Sequence, residues 1–282
     1  MQDSINLENF ISHALNEDIG DGDHTSLACV PADELNKAEL LVKDSGILAG
    51  VEVAEQIFRH IDPELSISFF LSDGVEIKPG DIAFEVSGNA RSILKAERLV
   101  LNCMQRMSGI ATATARYVRL VSDYKCKVLD TRKTTPGFRE LEKWAVRIGG
   151  GVNHRFGLYD MIMIKDNHID YAGGIPEAIK RTKNYLNETK RNLKIEVEAR
   201  NLGEVEQIIA AGGVHRIMLD NFTPEGIKVA IDLIQGRCET EASGGITEET
   251  IANYAASGVD FISVGALTHQ VKSLDLSLKA IP

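Results

Sequence analysis

Two short apolar runs in the middle of the chain stop abruptly at polar and charged residues. Cys126 to Leu129 runs into Asp130-Thr131-Arg132-Lys133, and Met161 to Ile164 runs into Lys165-Asp166-Asn167-His168. Between them lie Gly149-Gly150-Gly151 and then His154-Arg155. Arginine can hold a carboxylate or phosphate through two parallel hydrogen bonds, while lysine supplies a compact charge. Arg132, Lys133, Arg155 and Lys165 exceed what one monophosphate needs, so they imply several anionic groups: carboxylates as well as a diphosphate. Glu198 and Asp220 oppose these cations. Such a pair suits sugar hydroxyls, Mg2+ or a developing positive charge, or else plain ion pairing with the lysines. Ser243-Gly244-Gly245 and Gly265 are glycine turns through which backbone N–H groups can approach a phosphate, although tight strand-to-helix turns use the same residues. His154, His168 and His269 stand beside these clusters and are candidate ligands, whereas His24, His60 and His215 lack such context.

The elements that carry these residues follow from the apolar pattern. From Lys125 onward, apolar runs at 126–129, 161–164, 195–199, 216–219, 238–242 and 260–264 alternate with helical patterns at 137–147, 174–186, 202–210, 224–234 and 247–256. This rhythm predicts a parallel sheet with outer helices, and a barrel rather than an open sheet. No GxGxxG or Walker sequence accompanies it. In a parallel barrel the site lies at the carboxyl ends of the strands. Those ends read Thr131-Arg132-Lys133, Lys165, Glu198, Asp220, Ser243-Gly244-Gly245 and Gly265-Ala266.

Upstream, residues 6–17 read as an amphipathic helix that Asn6 can cap. The Asp18–Ser26 stretch reads as an ordered turn, because its spacing does not match a calcium loop. Residues 37–88 are strand-rich, with a helix at 51–60. Residues 90–121 form a long helical pattern in which Gly109 marks a break, a close packing contact or a domain boundary. Arg139, Lys143 and Arg147 read as a solvated helix face.

The 282 residues carry a net charge of −10, which argues against a nucleic-acid partner. No apolar run reaches the roughly 18 residues of a membrane span, so no membrane partner is expected. The N-terminus has no signal-peptide pattern, and the four dispersed cysteines read as reduced thiols, so a cytoplasmic location is expected.

Taken together, these motifs resemble quinolinate phosphoribosyltransferase, also called nicotinate-nucleotide pyrophosphorylase (carboxylating). The matching residues are Glu17-Asp18 through Ser26, Glu97-Arg98 with Asn102, Gln105 through Thr112, Asp130 through Thr134, and Gly150-Gly151 with Asn153-His154-Arg155. Ile164 through His168, Glu196-Val197-Glu198, Leu219-Asp220-Asn221, Glu241 through Gly245 and Val264 through His269 complete them. The resemblance implies an N-terminal α/β sandwich (1–111) beside an incomplete, TIM-like α/β barrel (112–269), with 270–282 returning to the first domain. It implies decarboxylating phosphoribosyl transfer from 5-phosphoribosyl 1-diphosphate to quinolinate, with substrate-associated Mg2+ and no organic cofactor. It also implies a homodimer with a shared active site, with larger assemblies known in the family.

By this resemblance Arg106, Arg132, His154 and Arg155 would hold the quinolinate carboxylates, Arg106 reaching across the interface. Lys133 and Lys165 would stabilise the departing diphosphate, and Glu198 and Asp220 would engage ribose hydroxyls or Mg2+. Ser243, Gly244, Gly245, Gly265 and His269 would bind the 5-phosphate, with Thr131, Val264 and Ala266 completing the substrate contacts. Two alternatives stay open: a molybdenum-transport-associated paralogue with another substrate, and a non-catalytic phosphometabolite-binding protein.

Overall fold

The structure, a computed structural model, describes residues 7–281. Asn6, the expected cap of the first helix, lies outside the described residues. The chain forms two compact units.

The first unit begins with α1 (Leu7–Ile19), whose Leu7, Ile11 and Leu15 are buried, and α2 (His24–Cys29). The Asp/Gly-rich stretch ends α1, turns at residues 20–23 and leads into α2. Asp23 caps it by accepting the Ser26 N–H and hydroxyl. There follow β1 (Leu35–Val42), β2 (Gly46–Ile47), α3 (Val51–Ile61), β3 (Ser66–Phe69), β4 (Glu76–Ile77), β5 (Ile82–Asn89) and α4 (Ala90–Leu120). The last strand of the chain, β12 (Leu276–Ile281), pairs antiparallel with β1, giving the sheet order β12-β1-β5-β3. β2 and β4 are two-residue pieces that pair antiparallel with each other.

The second unit begins at Arg116 and includes β6 (Lys127–Leu129). Next in the chain comes α5 (Arg139–Ile148), then β7 (Ile162–Ile164), α6 (Asp166–Ala172), α7 (Ile175–Thr189), β8 (Ile195–Ala199), α8 (Leu202–Ala211) and β9 (Arg216–Asp220). The chain continues with α9 (Pro224–Ile234), β10 (Glu239–Ser243), α10 (Ile251–Ala255), β11 (Phe261–Ser263) and α11 (Ala266–His269). Six strands pair in parallel in the order β6-β11-β10-β9-β8-β7. Between the outer strands β6 and β7, the chain adds a single parallel bridge from Leu129 to Val152. This is the parallel barrel that the strand–helix rhythm predicts, incomplete as the family resemblance implies.

Internal contacts group α5 with the first unit. The first unit extends to Ala115 and includes Thr134–Gly150, so α5 belongs to it and not to the barrel. The reason lies in its contacts. The Phe138 ring meets Phe10 edge-on at 5.6 Å, and Glu142 pairs with Arg106 at 2.9 Å. Gly149 comes so close to α4 that a Cβ would sit 2.4 Å from the Ala111 carbonyl oxygen. The first glycine of the triplet therefore serves close helix packing. The solvated face expected on α5 is also corrected. Arg147 is exposed, but Lys143 is buried with Glu142, Ala145 and Val146, because neighbours cover most of this helix's circumference.

Gly109 does not break α4. A Cβ there would lie 2.4 Å from the Lys272 carbonyl oxygen and 3.0 Å from Val271 Cγ1, so glycine lets the returning C-terminal segment approach the helix. In an exposed helix Gly→Ala stabilises by about 1 kcal/mol. Here the added methyl meets backbone, and overpacking costs about 1–3 kcal/mol. Gly109→Ala is therefore expected to lower the urea midpoint; a raised midpoint would show that this contact is loose.

Candidate active site

The barrel strands alternate between two faces, so residues two apart share one. On β8 these are Glu196 and Glu198; on β9, Arg216, Met218 and Asp220; on β10, Glu239, Glu241 and Ser243. Parallel register stacks them into layers. Glu196 pairs with Arg216 and Glu198 with Met218, while Met218 also pairs with Glu241, and Asp220 with Ser243. Alternation thus carries charged side chains from inside the strands up to their carboxyl ends.

A cavity of about 500 Å³ opens at those ends. Cations line it from β6, β7 and the connection between them: Arg132, Lys133, Arg155 and Lys165. Glu198, Asp220 and Ser243 line it from β8, β9 and β10. Thr131, His154, Met163, Asp166, Met218, Glu241 and Ser263 complete the wall. The predicted cations and carboxylates of the barrel therefore converge on one space.

Their electrostatics reflect crowding. Burial, and then the neighbouring Arg132, lower the pKa of Arg155, whose Nη1 donates to the Met161 carbonyl at 3.1 Å. Burial raises the carboxyl pKa of Glu198, and the negative charge of Asp220 adds to this while Lys165 opposes it. Asp220 is likewise raised by burial, with Asn221, Lys165 and Lys133 working the other way. An anion with several charges would relieve the arginines, and a cation or cationic transition state would relieve the carboxylates.

At the floor of the cavity His154 joins Glu196, Glu241 and Arg216, to which the sequence reading gave no role. His154 Nε2 lies 3.1 Å from Glu196 and 3.3 Å from Glu241, and Arg216 Nη1 lies 3.0 Å from the same Glu241 oxygen. Arg216 also stacks on Phe261 at 3.9 Å. His154, Glu196 and Glu241 are all buried. The position of His154 is set by Asp130 at the end of β6, which accepts the His154 backbone N–H at 2.8 Å and the Asn153 amide. Nδ1 of the ring accepts the Arg155 N–H at 2.7 Å, while Nε2 faces the two carboxylates. The three side chains have spacing that could suit a metal ion, but Arg216 already places a cation on Glu241.

Burial pushes the Glu196 carboxyl up to about 7, with Glu241 adding to the shift and His154 and Arg216 reducing it. Burial opposes a charged His154 ring, yet the two carboxylates outweigh it and push its pKa up to about 9. A second ring proton on Nδ1 would break the bond from Arg155. With Nδ1 accepting the Arg155 N–H, the ring's own proton sits on Nε2, and the extra proton of the cluster belongs on the raised carboxyl of Glu196.

Other predicted residues lie elsewhere. Arg106 belongs to the first unit, where its guanidinium binds Glu142 and the Val271 carbonyl. Gly244, Gly245, Val264, Gly265, Ala266 and His269 do not line the cavity, although Ser243 beside them does. The helix expected at 247–256 is only α10, five residues beginning at Ile251, because Thr247 to Thr250 form a turn closed by their own hydroxyls. With α11 also short, a phosphate here would meet turn backbone rather than a long helix's dipole. Gly265 has a packing reason: a Cβ would lie 3.0 Å from His269 Nε2 and 3.2 Å from Lys133 Cδ. Thr268 donates to the Lys133 carbonyl at 2.8 Å, tying the β11 turn to the β6 turn. His168 accepts the Lys165 N–H at 3.0 Å and so starts α6.

The missed residues did leave a signal. Charges at every second position of predicted buried strands, as in Glu196-Val197-Glu198 and Glu239-Thr240-Glu241, mark an inward polar face.

Both raised pKa values in the cluster act in the same direction. A group that holds its proton more tightly when folded stabilises the fold at low pH and loses that contribution as pH rises. The cluster's contribution should fall between the unfolded carboxyl value and about pH 9. Glu196→Gln, which imitates the protonated carboxyl, is expected to gain melting temperature relative to the parent as pH rises from 5 to 8. A constant difference across that range would count against a proton held on Glu196.

Comparison with known proteins adds an independent line. The family model "Quinolinate phosphoribosyl transferase, C-terminal domain" matches residues 110–279, and the N-terminal domain of the same family matches 23–108. The chain is 48% identical over 293 residues to the Arabidopsis thaliana chloroplastic nicotinate-nucleotide pyrophosphorylase (carboxylating), covering 98% of this chain and 83% of that protein. It is 43% identical to the probable nicotinate-nucleotide pyrophosphorylase (carboxylating) of Bacillus subtilis, covering 97% and 93%. The crystal structure of NadC from Streptococcus pyogenes superposes with a TM-score of 0.92 at 41% identity, covering 98% of this chain and 97% of that one. With both domain models matched and relatives spanning nearly its whole length, this chain belongs to the quinolinate phosphoribosyltransferase family.

Proposed function

We propose that this chain transfers a phosphoribosyl group from 5-phosphoribosyl 1-diphosphate to the ring nitrogen of quinolinate and decarboxylates the product. The reaction gives nicotinate mononucleotide, CO2 and diphosphate for NAD biosynthesis. The observation that carries this reading is the division of one cavity into a cationic wall, Arg132, Lys133, Arg155 and Lys165, facing Glu198 and Asp220. One wall suits a dicarboxylate and a diphosphate; the other suits the ribose between them.

Each wall serves the bond changes. As the C1–O bond to diphosphate breaks, negative charge grows on the leaving group, and Lys133 and Lys165 stabilise it. Positive charge grows on the ribose, and Glu198 and Asp220 stabilise that. The pyridine nitrogen then bonds to C1 and becomes cationic. When the C2–carboxylate bond breaks, this cationic ring accepts its electron pair, and C2 takes up a proton. Arg132 and Arg155 hold the carboxylates. His154 supports them from the floor, since its ring nitrogens are engaged by Arg155 and the two glutamates. Ser243 and the turns at Gly244-Gly245 and Val264-Gly265-Ala266, with His269, take the 5-phosphate.

Mg2+ is the expected metal, brought with the diphosphate, and no organic cofactor is needed. The residues fit it. Glu198 and Asp220 offer oxygen ligands from adjacent strands, and both carboxyls are buried enough to gain from a nearby cation. The ion would screen the charge of the diphosphate.

We further propose a homodimer in which the partner subunit's Arg106 reaches the quinolinate side. In this chain Arg106 is only partly buried and is gripped by Glu142, which also accepts the Thr135 N–H and hydroxyl. The free state of Cys29, Cys103, Cys126 and Cys238 supports a reducing, cytoplasmic setting. The net charge of −10 speaks against nucleic acid. Among the described residues no helix is long and apolar enough to cross a membrane.

The assay is direct. With quinolinate, 5-phosphoribosyl 1-diphosphate and Mg2+, the protein is expected to release nicotinate mononucleotide and CO2 in equal amounts. Nicotinate should give little product, and comparable turnover with it would overturn the carboxylate assignment. Lys165→Ala is expected to lower kcat by about 10²–10³-fold, the scale for losing one group that stabilises transition-state charge. Arg106→Ala and Lys133→Ala should each be impaired alone and regain activity when subunits are mixed. No recovery after verified exchange would exclude the shared site.

A further inference from the structure

β9 ends at Asp220, and the next residue, Asn221, has a φ of 57°. Positive φ is costly for residues with a side chain, and asparagine is among the few that tolerate it. Among the described residues two other non-glycines share it, Lys190 and Gln235, and both are helix C-caps. Asn221 caps no helix C-terminus, so its conformation needs another cause.

Three contacts supply one. Its backbone N–H donates to the Ser243 carbonyl at 2.8 Å, continuing the β9–β10 pairing one step past the Asp220–Ser243 pair. Its side-chain amide donates to Asp220 Oδ2 at 2.6 Å. That orientation is required, because the flipped amide would set a carbonyl oxygen against a carboxylate. Its Oδ1 fills the space where a side chain on Gly244 would begin, 2.2 Å from that Cβ position. Gly244 itself has a φ of 105°. The left-handed turn at Asn221 is what allows one short side chain to touch the ribose-side carboxylate and the glycine turn after β10 together.

We propose that Asn221 is a positioning residue for the phosphoribosyl half of the site, orienting Asp220 and holding it in register with the Ser243–Gly245 turn. This rests on the reading of that half of the cavity given above. Asn221 does not line the cavity, so it acts through Asp220 and the turn rather than on substrate. The glycine at 244 thereby has a role apart from phosphate access: it makes room for the Asn221 amide.

The test is a double-mutant cycle on binding of Mg2+–5-phosphoribosyl 1-diphosphate, followed by calorimetry on the full-length protein, with kinetics alongside. Asn221→Ala is expected to weaken binding and to lower kcat/KM for this substrate by about 10- to 100-fold, the scale of one hydrogen bond to a charged group. The KM for quinolinate should change by less than about 2-fold. Asn221→Gly, which removes the backbone strain but also the amide, should lose as much as Asn221→Ala. Asn221→Asp keeps the size and the tolerance of positive φ but repels Asp220; it should bind worst, and it carries the test if the alanine variant fails to fold. In an Asp220→Asn background, Asn221→Ala should cost less than about 2-fold, because its partner charge is gone.

Equal losses in both backgrounds, equal losses for both substrates, or full activity in Asn221→Gly would each overturn the proposal. A parent protein that binds no 5-phosphoribosyl 1-diphosphate would instead sink the functional reading, so the two failures separate.

Discussion

Two carboxylates buried in the barrel, Glu196 and Glu241, set the terms for everything above them. Removing an ionised carboxylate from water costs several kcal/mol unless it is paired or protonated. Here the cost is met from both sides. Arg216 enters from β9 and binds Glu241, while His154 faces both carboxylates from the connection after β6. That demand fixes the connection itself. Asp130 holds the His154 backbone, His154 holds the Arg155 N–H, and the Arg155 guanidinium is thereby directed to the cavity wall. The Arg155 side of the cavity is thus built upward from a charge-balanced floor.

The same economy of charge separates the two halves of the cavity. Arg132 and Arg155 crowd each other on one side. Glu198 and Asp220 sit on the other, with Lys165 and Lys133 between them in electrostatic reach. Like charges held close at a partly buried surface repel, and a bound group of opposite charge relieves that repulsion. The proposed substrate pair, with its carboxylates, sugar carbon and diphosphate, would complement that order of charges. Asn221 extends the pattern outward: it spends backbone conformational energy to hold a carboxylate and a glycine turn together.

Much of this was legible in the linear sequence. The strand–helix rhythm from Lys125 onward yields the parallel sheet, because alternating buried strands and outer helices have few ways to pack. The location of Arg132, Lys133, Lys165, Glu198 and Asp220 follows, since parallel strands bring their carboxyl ends to one side. The motifs along the chain also sufficed to place it in its family. The short α10 was not legible, because local hydroxyl bonds at Thr247 and Thr250 compete with helix over a few residues. Nor was the placement of α5, where Phe10, Arg106 and Ala111, distant in sequence, decide which unit it joins.

Sequence alone therefore determined the architecture and the chemical character of the pocket, because periodicity and residue type act locally and add up along the chain. Tertiary structure decided what each polar group faces. It turned His154 toward Glu196 and Glu241, set Arg106 on Glu142, gave Gly109 and Gly149 to helix packing, and bent Asn221 back to Asp220. Those outcomes depend on distances between residues far apart in the chain, or on one backbone angle, and neither is encoded in spacing.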